Sequence, residues 1–405
     1  MRRLLVLAAL ALSAPLAAPE EKAETAETLK DAFAKGDPSL ALRYRYEIVD
    51  EDPFEKNAYA STLRTTLSFR TLPFKGFSAF LEAQNVATLG RQLFNNRGAG
   101  DLSNGVTDRP AVADPSQTRM QQVYLRLDAL ETAFDFGRRE ITYGDHRFIG
   151  NVGWRQNHQT FDAVYLSSRV LDKTTLSYTF AGQVVQITGA KKEMSSHFVN
   201  GLVKLDPDVS LELYAYLVDY DAPEDSGLSS QSYGGKISGT KPVTGSYRVH
   251  FEAQYARQWD FADNPAEVEA DYQHLVGGVG LPGGVNVKVG RELLGGSRET
   301  GTFQTPLATV HVFNGWADKF TTTPPDGLVD WYGSVDGKAG PLTWTVVYHD
   351  FRADTGGASY GTEWDAQAVY PTSWNQSFGA KLALYRENGF AFDTSKIWFW
   401  TEYTF

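Results

Sequence analysis

The chain has 405 residues with no Cys, 38 basic against 49 acidic residues, and a formal net charge of −11. The acidic balance argues against nucleic-acid binding, and the lack of Cys excludes disulfides, thiolate metal ligands and a Cys nucleophile. Aromatic residues make up 13% of the chain. This share is typical of membrane-interface girdles, with a large secreted β-protein as the alternative.

The first 38 residues are predicted to precede the folded domain. Arg2 and Arg3 come before an apolar run at residues 4–12 and small residues up to Ala18, which predicts a signal peptide at 1–18. Residues 19–38 are charged and Ala-rich, and we expect a periplasmic lead-in without a function of its own. Since no later apolar stretch reaches 18 residues, a membrane-spanning chain of this composition must form a closed barrel, here at 39–405.

Apolar and polar residues alternate through most of the remaining chain, as in strands with two different faces. In the first such segment Leu40, Leu42 and Tyr44 lie opposite Arg43 and Arg45. Periodicity alone does not distinguish a soluble sandwich, with its apolar face inside, from a barrel with that face towards lipid. The alternation predicts eighteen strands near residues 39–49, 59–71, 76–88, 118–129, 131–143, 160–171, 173–187, 195–206, 208–220, 231–240, 245–257, 269–281, 284–294, 327–336, 340–351, 361–370, 374–385 and 393–405.

The lengths of the predicted connections separate these two folds. Connections after even-numbered strands are short turns, such as 205–208 and 370–373, whereas those after odd-numbered strands are mostly longer, up to 89–117 and 295–326. This alternation is typical of outer-membrane barrels, with periplasmic turns and extracellular loops. A tandem of two β-domains is the rival layout, but no Pro/Ser/Gly-rich linker is present. We therefore predict an all-β fold, a single transmembrane antiparallel β-barrel of about 18 strands in the outer membrane of a Gram-negative bacterium.

The last predicted strand, 393–405, ends on an aromatic residue. Ile397, Phe399 and Phe405 share one face, and Trp398 and Glu402 share the other. This pattern resembles the C-terminal signal of bacterial outer-membrane barrels, so we expect the outer-membrane assembly machinery as a partner besides membrane lipid. The alternative is the edge strand of a soluble sandwich.

Two segments are unlike generic barrel strands. The first, 136–150, reads FGRREITYGDHRFIG and continues to WRQ at 154–156, and the second, 303–320, contains FNGWADKF. They resemble the alginate export family of Gram-negative outer-membrane barrels, over essentially residues 39–405. The resemblance implies an eighteen-stranded channel that passes an anionic polysaccharide through a pore lined by basic residues. The chain departs from the dedicated exporter at the predicted turn 370–373, which is minimal where that exporter has an elongated periplasmic turn that helps to plug the pore.

Charged residues on the predicted inward face would line an aqueous channel, because a barrel of this width leaves one. Arg suits carboxylates and sulfates, since its guanidinium is always charged and binds them bidentately. Arg138 and Arg139 are adjacent, so only one can point inward, and Phe134 and Phe136 favour Arg139. A structural ladder of Arg and acidic residues across neighbouring strands is the alternative role. The pore-lining or anion-binding candidates are Arg43, Arg45, Arg64, Arg70, Arg126, Arg139, Arg248 and Lys288.

Two long connections carry further candidates. The loop 144–159 is Gly-rich and follows an inward Arg, so we expect it to fold into the pore as a constriction; an ordinary surface loop is the alternative. Its candidate residues are Asp145, Arg147, Trp154 and Arg155. In 303–320, Trp316, Asp318 and Lys319 mark a candidate lining loop or lid whose aromatic residues could stack on sugar rings. A packed structural hairpin is the alternative there.

Enzymatic and metal chemistry find little support in the sequence. The seven His show no zinc-site spacing, and no Gly-x-Ser-x-Gly elbow occurs. We expect a monomeric, non-enzymatic channel, with no cofactor and no metal, that passes anionic solutes or acidic (poly)saccharide such as alginate by passive diffusion. A general or sugar-uptake porin is the second hypothesis, and a closed structural or adhesive surface barrel is the third.

Overall fold

A computed structural model describes residues 24–405, so the predicted signal peptide at 1–18 lies outside the described residues. Within them, no helix is long and apolar enough to cross a membrane. The described chain has one short α-helix, α1 (Leu29–Ala34), which falls in the predicted lead-in, and twenty β-strands. The strands are β1 (Asp37–Glu51), β2 (Ala58–Arg70), β3 (Phe77–Thr88), β4 (Gln117–Ala129), β5 (Thr132–Arg139), β6 (Thr160–Ser168), β7 (Thr174–Val185), β8 (Lys191–Asp206), β9 (Val209–Val218), β10 (Ser230–Pro242), β11 (Arg248–Asp260), β12 (Glu269–Leu281), β13 (Val285–Leu294), β14 (Gly296–Ser297), β15 (Gly301–Thr302), β16 (Leu328–Ala339), β17 (Leu342–Arg352), β18 (Ser359–Pro371), β19 (Gln376–Glu387) and β20 (Thr394–Thr404).

Eighteen of these strands form one closed antiparallel barrel. Each barrel strand pairs with its neighbours along the chain, and β1 pairs with both β2 and β20, which closes the sheet. The two remaining strands, β14 and β15, form a small hairpin in the connection from β13 to β16. The predicted all-β, eighteen-stranded barrel is confirmed.

The two faces of the barrel wall differ in chemistry, because side chains alternate along each strand. On β1, Arg43, Arg45 and Glu47 point inward and are buried. Apolar residues inside with charges outside would mark a soluble sandwich, whereas this arrangement is that of a barrel in lipid. Large apolar residues exposed on the outer face include Leu67, Leu125, Phe136, Leu213, Leu275, Val289 and Phe399.

Short turns at one end of the barrel alternate with longer loops at the other. By the rule for outer-membrane barrels, the turns face the periplasm and the loops face the exterior. The predicted alternation is present, although the loop 186–190 is as short as the longer turns. The turns span 71–76, 130–131, 169–173, 207–208, 243–247, 282–284, 340–341 and 372–375, and the loops span 52–57, 89–116, 140–159, 186–190, 219–229, 261–268, 295–327, 353–358 and 388–393.

Most strand limits lie within three residues of the predictions, and two differ by four residues. Strand β5 ends at Arg139 rather than at 143, because Glu140 leaves the wall and donates its backbone N–H to Oε1 of Gln122 (3.0 Å). Strand β8 begins at Lys191 rather than near 195, because its first residues still pair with the end of β7, Lys191 with Val185.

Two of the long loops fold into the barrel. We call residues 140–159 the first inner loop and residues 303–320 the second inner loop. Both contribute to one buried apolar cluster, which also contains inward-facing side chains of the wall. The core of the protein therefore lies inside the barrel. From the two inner loops the cluster takes Ile141, Tyr143, Phe148, Ile149, Trp154, Phe303, Leu307, Ala317 and Phe320, and from the wall it takes residues such as Tyr214, Tyr272, Tyr385 and Trp398.

Candidate functional site

The first inner loop crosses the barrel after leaving β5. Gly144 has a φ of +55°, and a Cβ at this position would lie 2.8 Å from both carboxylate oxygens of Glu212 on β9. Glycine is the residue that accepts this φ and this close approach without strain. The next residue, Asp145, accepts a hydrogen bond from Nζ of Lys236 on β10 (3.0 Å). The loop therefore reaches a part of the wall that is four to five strands away from its origin.

Arg147 fastens the first inner loop to the wall and to the second inner loop. Its Nε donates to Oε1 of Glu292 on β13 (2.5 Å), and its Nη2 donates to Oδ1 of Asn314 (3.0 Å). The guanidinium carbon also lies 4.8 Å from the ring centroid of Phe313. Arg147 and Glu292 are each 2% exposed, so they form a buried ion pair inside the barrel, where loss of one partner is costly.

Two predicted pore-lining residues, Arg43 and Arg45, hold the tip of the first inner loop. Nη1 of Arg45 donates to the carbonyl of Trp154 (2.5 Å), and Nη1 of Arg43 donates to the carbonyl of Gly153 (3.2 Å). Both guanidinium carbons lie 5.2 Å from the ring centroid of Trp154. Because Arg43 is 4% and Arg45 0% exposed, these two side chains bind protein rather than solvent in this structure.

Asp318 joins the two inner loops to each other. Its Oδ2 accepts from Nη2 of Arg155 (2.8 Å) and from Nζ of Lys396 on β20 (2.9 Å), and its Oδ1 lies 2.7 Å from Nδ1 of His311. Arg155 also lies 3.4 Å from Oε2 of Glu47 on β1. The predicted constriction residue Arg155 and the predicted lid residue Asp318 thus meet in one buried network.

The other predicted lid residues also lie inside the barrel, against β18 and β1. The backbone N–H of Trp316 donates to Oδ2 of Asp365 (3.1 Å), and the next backbone N–H donates to Oε1 of Glu363 (2.6 Å). Lys319 donates to Oε2 of Glu51 at the end of β1 (2.6 Å). The structure thus places the second inner loop within the lumen, while the roles of both inner loops in solute passage stay predictions.

A third loop, 89–116, supplies a residue that the sequence analysis missed. Asp114 is fully buried, pairs with Arg45, and accepts the backbone N–H of Gln156 (2.7 Å). Phe94 and Val112 of the same loop pack on apolar residues of β1 and β2. No local pattern marks Asp114, because its partner lies 69 residues earlier in the chain.

Four further candidates lie nearer the turns and have partners in the wall. Arg126 binds Asp135 across β4 and β5 with two hydrogen bonds (2.7 and 3.0 Å), and Arg139 contacts the same carboxylate. Lys288 lies 3.3 Å from Asp336 on β16. Arg70 donates to the hydroxyl of Tyr124 (3.3 Å). The Arg126–Asp135 and Lys288–Asp336 pairs join neighbouring strands, as in a structural ladder, whereas Arg70 on β2 reaches past β3 to Tyr124 on β4.

Of the adjacent pair Arg138 and Arg139, the structure places Arg139 inward. Arg139 shares a face with the buried Asp135, and its guanidinium carbon lies 4.0 Å from the ring centroid of Tyr165. Arg138 shares a face with the exposed Phe136 and binds Asp162 through two hydrogen bonds of 2.7 Å.

We call the half of the lumen on the turn side, beneath the first inner loop, the vestibule. Its roof carries Glu140 and His158 of the first inner loop, whose Oε1 and Nδ1 are 2.8 Å apart. Arg64 contacts the other ring nitrogen of His158. Burial alone would raise the pKa of Glu140, but His158 and hydrogen bonds from Asn151 and Gln121 lower it to about 2. The half-buried or exposed basic residues that line the vestibule include Arg64, Arg70, Arg126, Arg139, Arg248 and Lys288.

Arg119 was also missed by the sequence analysis. The pairing of β3 with β4 shifts register between Glu82 and Ala83, which resets the alternation along β4. Arg119 consequently turns inward, donates to Oε1 of Gln121 (2.8 Å) and contacts the carbonyl of His158. The apolar Met120 is the local signal that could have identified Arg119. If Met120 faces lipid, alternation along the strand turns its two neighbours, Arg119 and Gln121, inward.

Metal binding finds no support within residues 24–405, where no group of three or more His, Asp or Glu side chains is placed to hold a metal ion.

The model of the alginate export family matches residues 37–276, which is more than half of the chain. The chain belongs to the alginate export family. No curated protein matches this alginate export family member. Family membership and the closed barrel together support an outer-membrane channel of a Gram-negative bacterium.

Solved structures of similar shape include proteins of Pseudomonas aeruginosa and Acinetobacter baumannii. Pseudomonas aeruginosa OccK9 (OpdG) has 15% sequence identity and a TM-score of 0.73, covering 92% of this chain and 99% of that chain. P. aeruginosa OpdQ has 16% identity and a TM-score of 0.71, and Acinetobacter baumannii OccAB2 has 14% and 0.72; each covers 93% of this chain and 99% of its own. At such low identities the similarity shows the fold alone.

In this alginate export family member the lumen is filled from the loop end. The turn between β18 and β19 spans only 372–375, in agreement with the predicted minimal turn. The two inner loops, 140–159 and 303–320, occupy the lumen instead, and they coincide with the two segments that carry the family resemblance.

Proposed function

We propose that this barrel is a passive channel for anionic solutes, including acidic sugars or polysaccharides such as alginate. The observation that carries the proposal is a set of three inward arginines at the vestibule, Arg64, Arg70 and Arg248. Among residues 24–405 none of the three forms an ion pair, and each is half-buried or exposed. Arg64 contacts His158 and Arg70 donates to Tyr124, but with no acidic partner their remaining N–H groups stay available for a carboxylate or sulfate.

Two further features support a path along the wall formed by β1 to β5. Arg126 and Arg139 share the single carboxylate of Asp135, so their combined positive charge is only half neutralised there. Arg119 adds a positive charge at the roof of the vestibule. A carboxylated solute would exchange between successive guanidinium groups on this side, and fixed charges of this kind require no energy coupling.

Single-channel recording of the refolded barrel under a salt gradient tests this proposal. We expect a reversal potential that indicates anion selectivity, reduced by the triple substitution Arg64→Gln, Arg70→Gln and Arg248→Gln. Arg352→Gln is a control for the loss of one positive charge outside the lumen, because Arg352 is exposed on the outer face of β17.

Two outcomes would replace the proposal. A conductance whose selectivity ignores the triple substitution would favour a general or sugar-uptake porin. A barrel that refolds but passes no current would favour a closed structural or adhesive surface protein.

We also propose that the barrel is a monomer and that its C-terminal strand is read by the outer-membrane assembly machinery. Strand β20 pairs with both β19 and β1, so it completes the closed wall without a second chain. Light scattering of the detergent-solubilised protein tests the monomer, with a dimeric mass as the contrary result. The rate at which the Phe405→Ala variant inserts into the outer membrane of cells tests the C-terminal signal. We expect slower insertion than for the wild type, and an unchanged rate would contradict the signal.

A further inference from the structure

Helix α1 is a segment to which neither the sequence nor the channel proposal attaches a role. It follows Thr28, whose Oγ1 accepts the backbone N–H of Asp31 (3.1 Å) as an N-terminal cap. The helix is held at the periplasmic turn between β2 and β3, where the carbonyl of Ala32 accepts the backbone N–H of Leu72 (3.0 Å). Ala32 is buried, so one face of α1 is fixed against the barrel.

The side of α1 next to the buried Ala32 is apolar and exposed. Leu29 and Phe33 lie one helical turn apart, and they are 60% and 52% exposed. Residues with this spacing share a helix face. In water such a face is unfavourable, at roughly 25 cal/mol for each Å² of apolar surface.

This exposed face continues the lipid-facing surface of the barrel. The ring of Phe33 stacks on Phe69 with a centroid distance of 6.5 Å and an interplanar angle of 16°. Phe69 lies on the outer face of β2, two residues after Leu67, which is itself 58% exposed. On the next strand Phe77 is equally exposed. The apolar side chains of α1 therefore extend the surface that contacts lipid, at its periplasmic edge.

Basic side chains flank the apolar face of α1. Lys30 is exposed on the helix, and Lys35 just after it is exposed and lies 3.9 Å from Oε1 of Glu24. In the adjoining turn Nζ of Lys75 lies 5.3 Å from the ring centroid of Phe74. Lysine can lay its aliphatic stem along an apolar surface while its ammonium group reaches phosphate. An apolar face beside basic residues is the pattern of a helix that lies in a membrane interface.

We propose that α1 is an interfacial anchor that inserts Leu29 and Phe33 into the periplasmic leaflet of the outer membrane, with phospholipid as the occupant of its apolar face. The anchor fixes the beginning of β1 at the level of the headgroups. It acts independently of the solute, so it stands whether or not the channel selects anions.

Spin labelling tests the anchor directly, because the chain has no Cys and a single introduced thiol is labelled alone. Nitroxide labels are placed separately at Leu29→Cys and Phe33→Cys in the full barrel, in vesicles of phosphatidylethanolamine and phosphatidylglycerol. Collision rates with oxygen and with a water-soluble nickel complex then report depth. Leu67→Cys is the lipid reference, Asp101→Cys in an exposed loop is the aqueous reference, and Ala34→Cys is the matched control at an exposed helix position beside Phe33.

We expect the labels at 29 and 33 to favour oxygen over nickel, as at 67, with a depth of roughly 5–10 Å below the phosphates. The label at 34 should behave like the label at 101. Nickel accessibility at both 29 and 33 equal to that at 101 would overturn the proposal. Both sites are needed because each label replaces one apolar side chain of the anchor and leaves the other native. Dipolar broadening that vanishes on dilution with unlabelled barrel would assign the face to a second copy and would also overturn it.

Discussion

Substitution of Arg147 by Met should release part of the first inner loop from the far wall. In the native protein Arg147 donates to Glu292 (2.5 Å) and to Asn314 (3.0 Å). Met retains the apolar stem but removes the charge. Glu292 then keeps only neutral donors, the hydroxyl of Tyr272 and the amide of Asn314, each at 2.7 Å. The result is a buried carboxylate without a counter-ion.

The magnitude follows from the burial of the pair. Removal of one partner from a buried ion pair costs about 3–5 kcal/mol. Since about 1.4 kcal/mol corresponds to a tenfold change in an equilibrium constant, the population with a displaced loop should rise by about 10²- to 4 × 10³-fold. The tip of the loop keeps its contacts with Arg43 and Arg45, so we expect the displacement to be confined to the segment around 144–150.

Single-channel current in a planar bilayer and the urea midpoint of unfolding are the two readouts. We expect Arg147→Met to show larger and more variable conductance than the wild type, with a lower urea midpoint. The double substitution Arg147→Met with Glu292→Leu removes both charges and should recover the wild-type behaviour, because a well-packed apolar pair replaces a buried ion pair at little cost.

Two results would refute this reasoning. If Arg147→Met has the current and the midpoint of the wild type, the ion pair does not hold the loop. If the double substitution is as perturbed as the single one, the unpaired carboxylate is not the cause.

Two further predictions concern the second inner loop and the roof of the vestibule. Gly315→Ala would bring a methyl group within 2.3 Å of Oε2 of Glu363 at a φ of +82°, so we expect stability to fall by about 1–3 kcal/mol in urea unfolding. Gly356→Ala, at +81° with no atom within 4 Å, is the control for backbone strain, and equal losses would show that the contact with Glu363 is unimportant. Because the pKa of Glu140 is lowered from 4.5 to about 2, its carboxylate stabilises the docked first inner loop above about pH 4.5, and this contribution is lost as the pH falls towards 2. Tryptophan fluorescence should therefore show an acid transition in the wild type that Glu140→Gln lacks, and identical titrations of the two proteins would contradict the assignment.

The barrel strands could be predicted because their signals are local. On β1, alternation of Leu40 and Leu42 with Arg43 and Arg45 requires only neighbouring residues, and it follows from a wall with lipid on one side. Turn lengths are equally local. The early end of β5 at Arg139 could not be predicted in this way, since polar and apolar residues continue beyond it although the chain has left the wall.

The partners of the inner loops depend on contacts between distant parts of the chain. Arg147 and Glu292 are 145 residues apart, and Arg45 and Asp114 are 69 apart. Each of these residues is only a charged side chain in its own segment. A register shift of one residue, as in β4, also changes which charge points inward, and this is why Arg119 escaped the sequence analysis while Arg126 did not.

These contacts change where selectivity should arise. The sequence pointed to the tips of the loops, but Arg147, Trp154 and Arg155 are buried and are engaged with protein groups. A charge that is already neutralised and shielded from water has little effect on a passing ion. Unpaired charge remains on the turn side of the first inner loop, where Arg64 and Arg70 face the vestibule. We therefore expect the inner loops to narrow the lumen and the wall beneath them to select the solute.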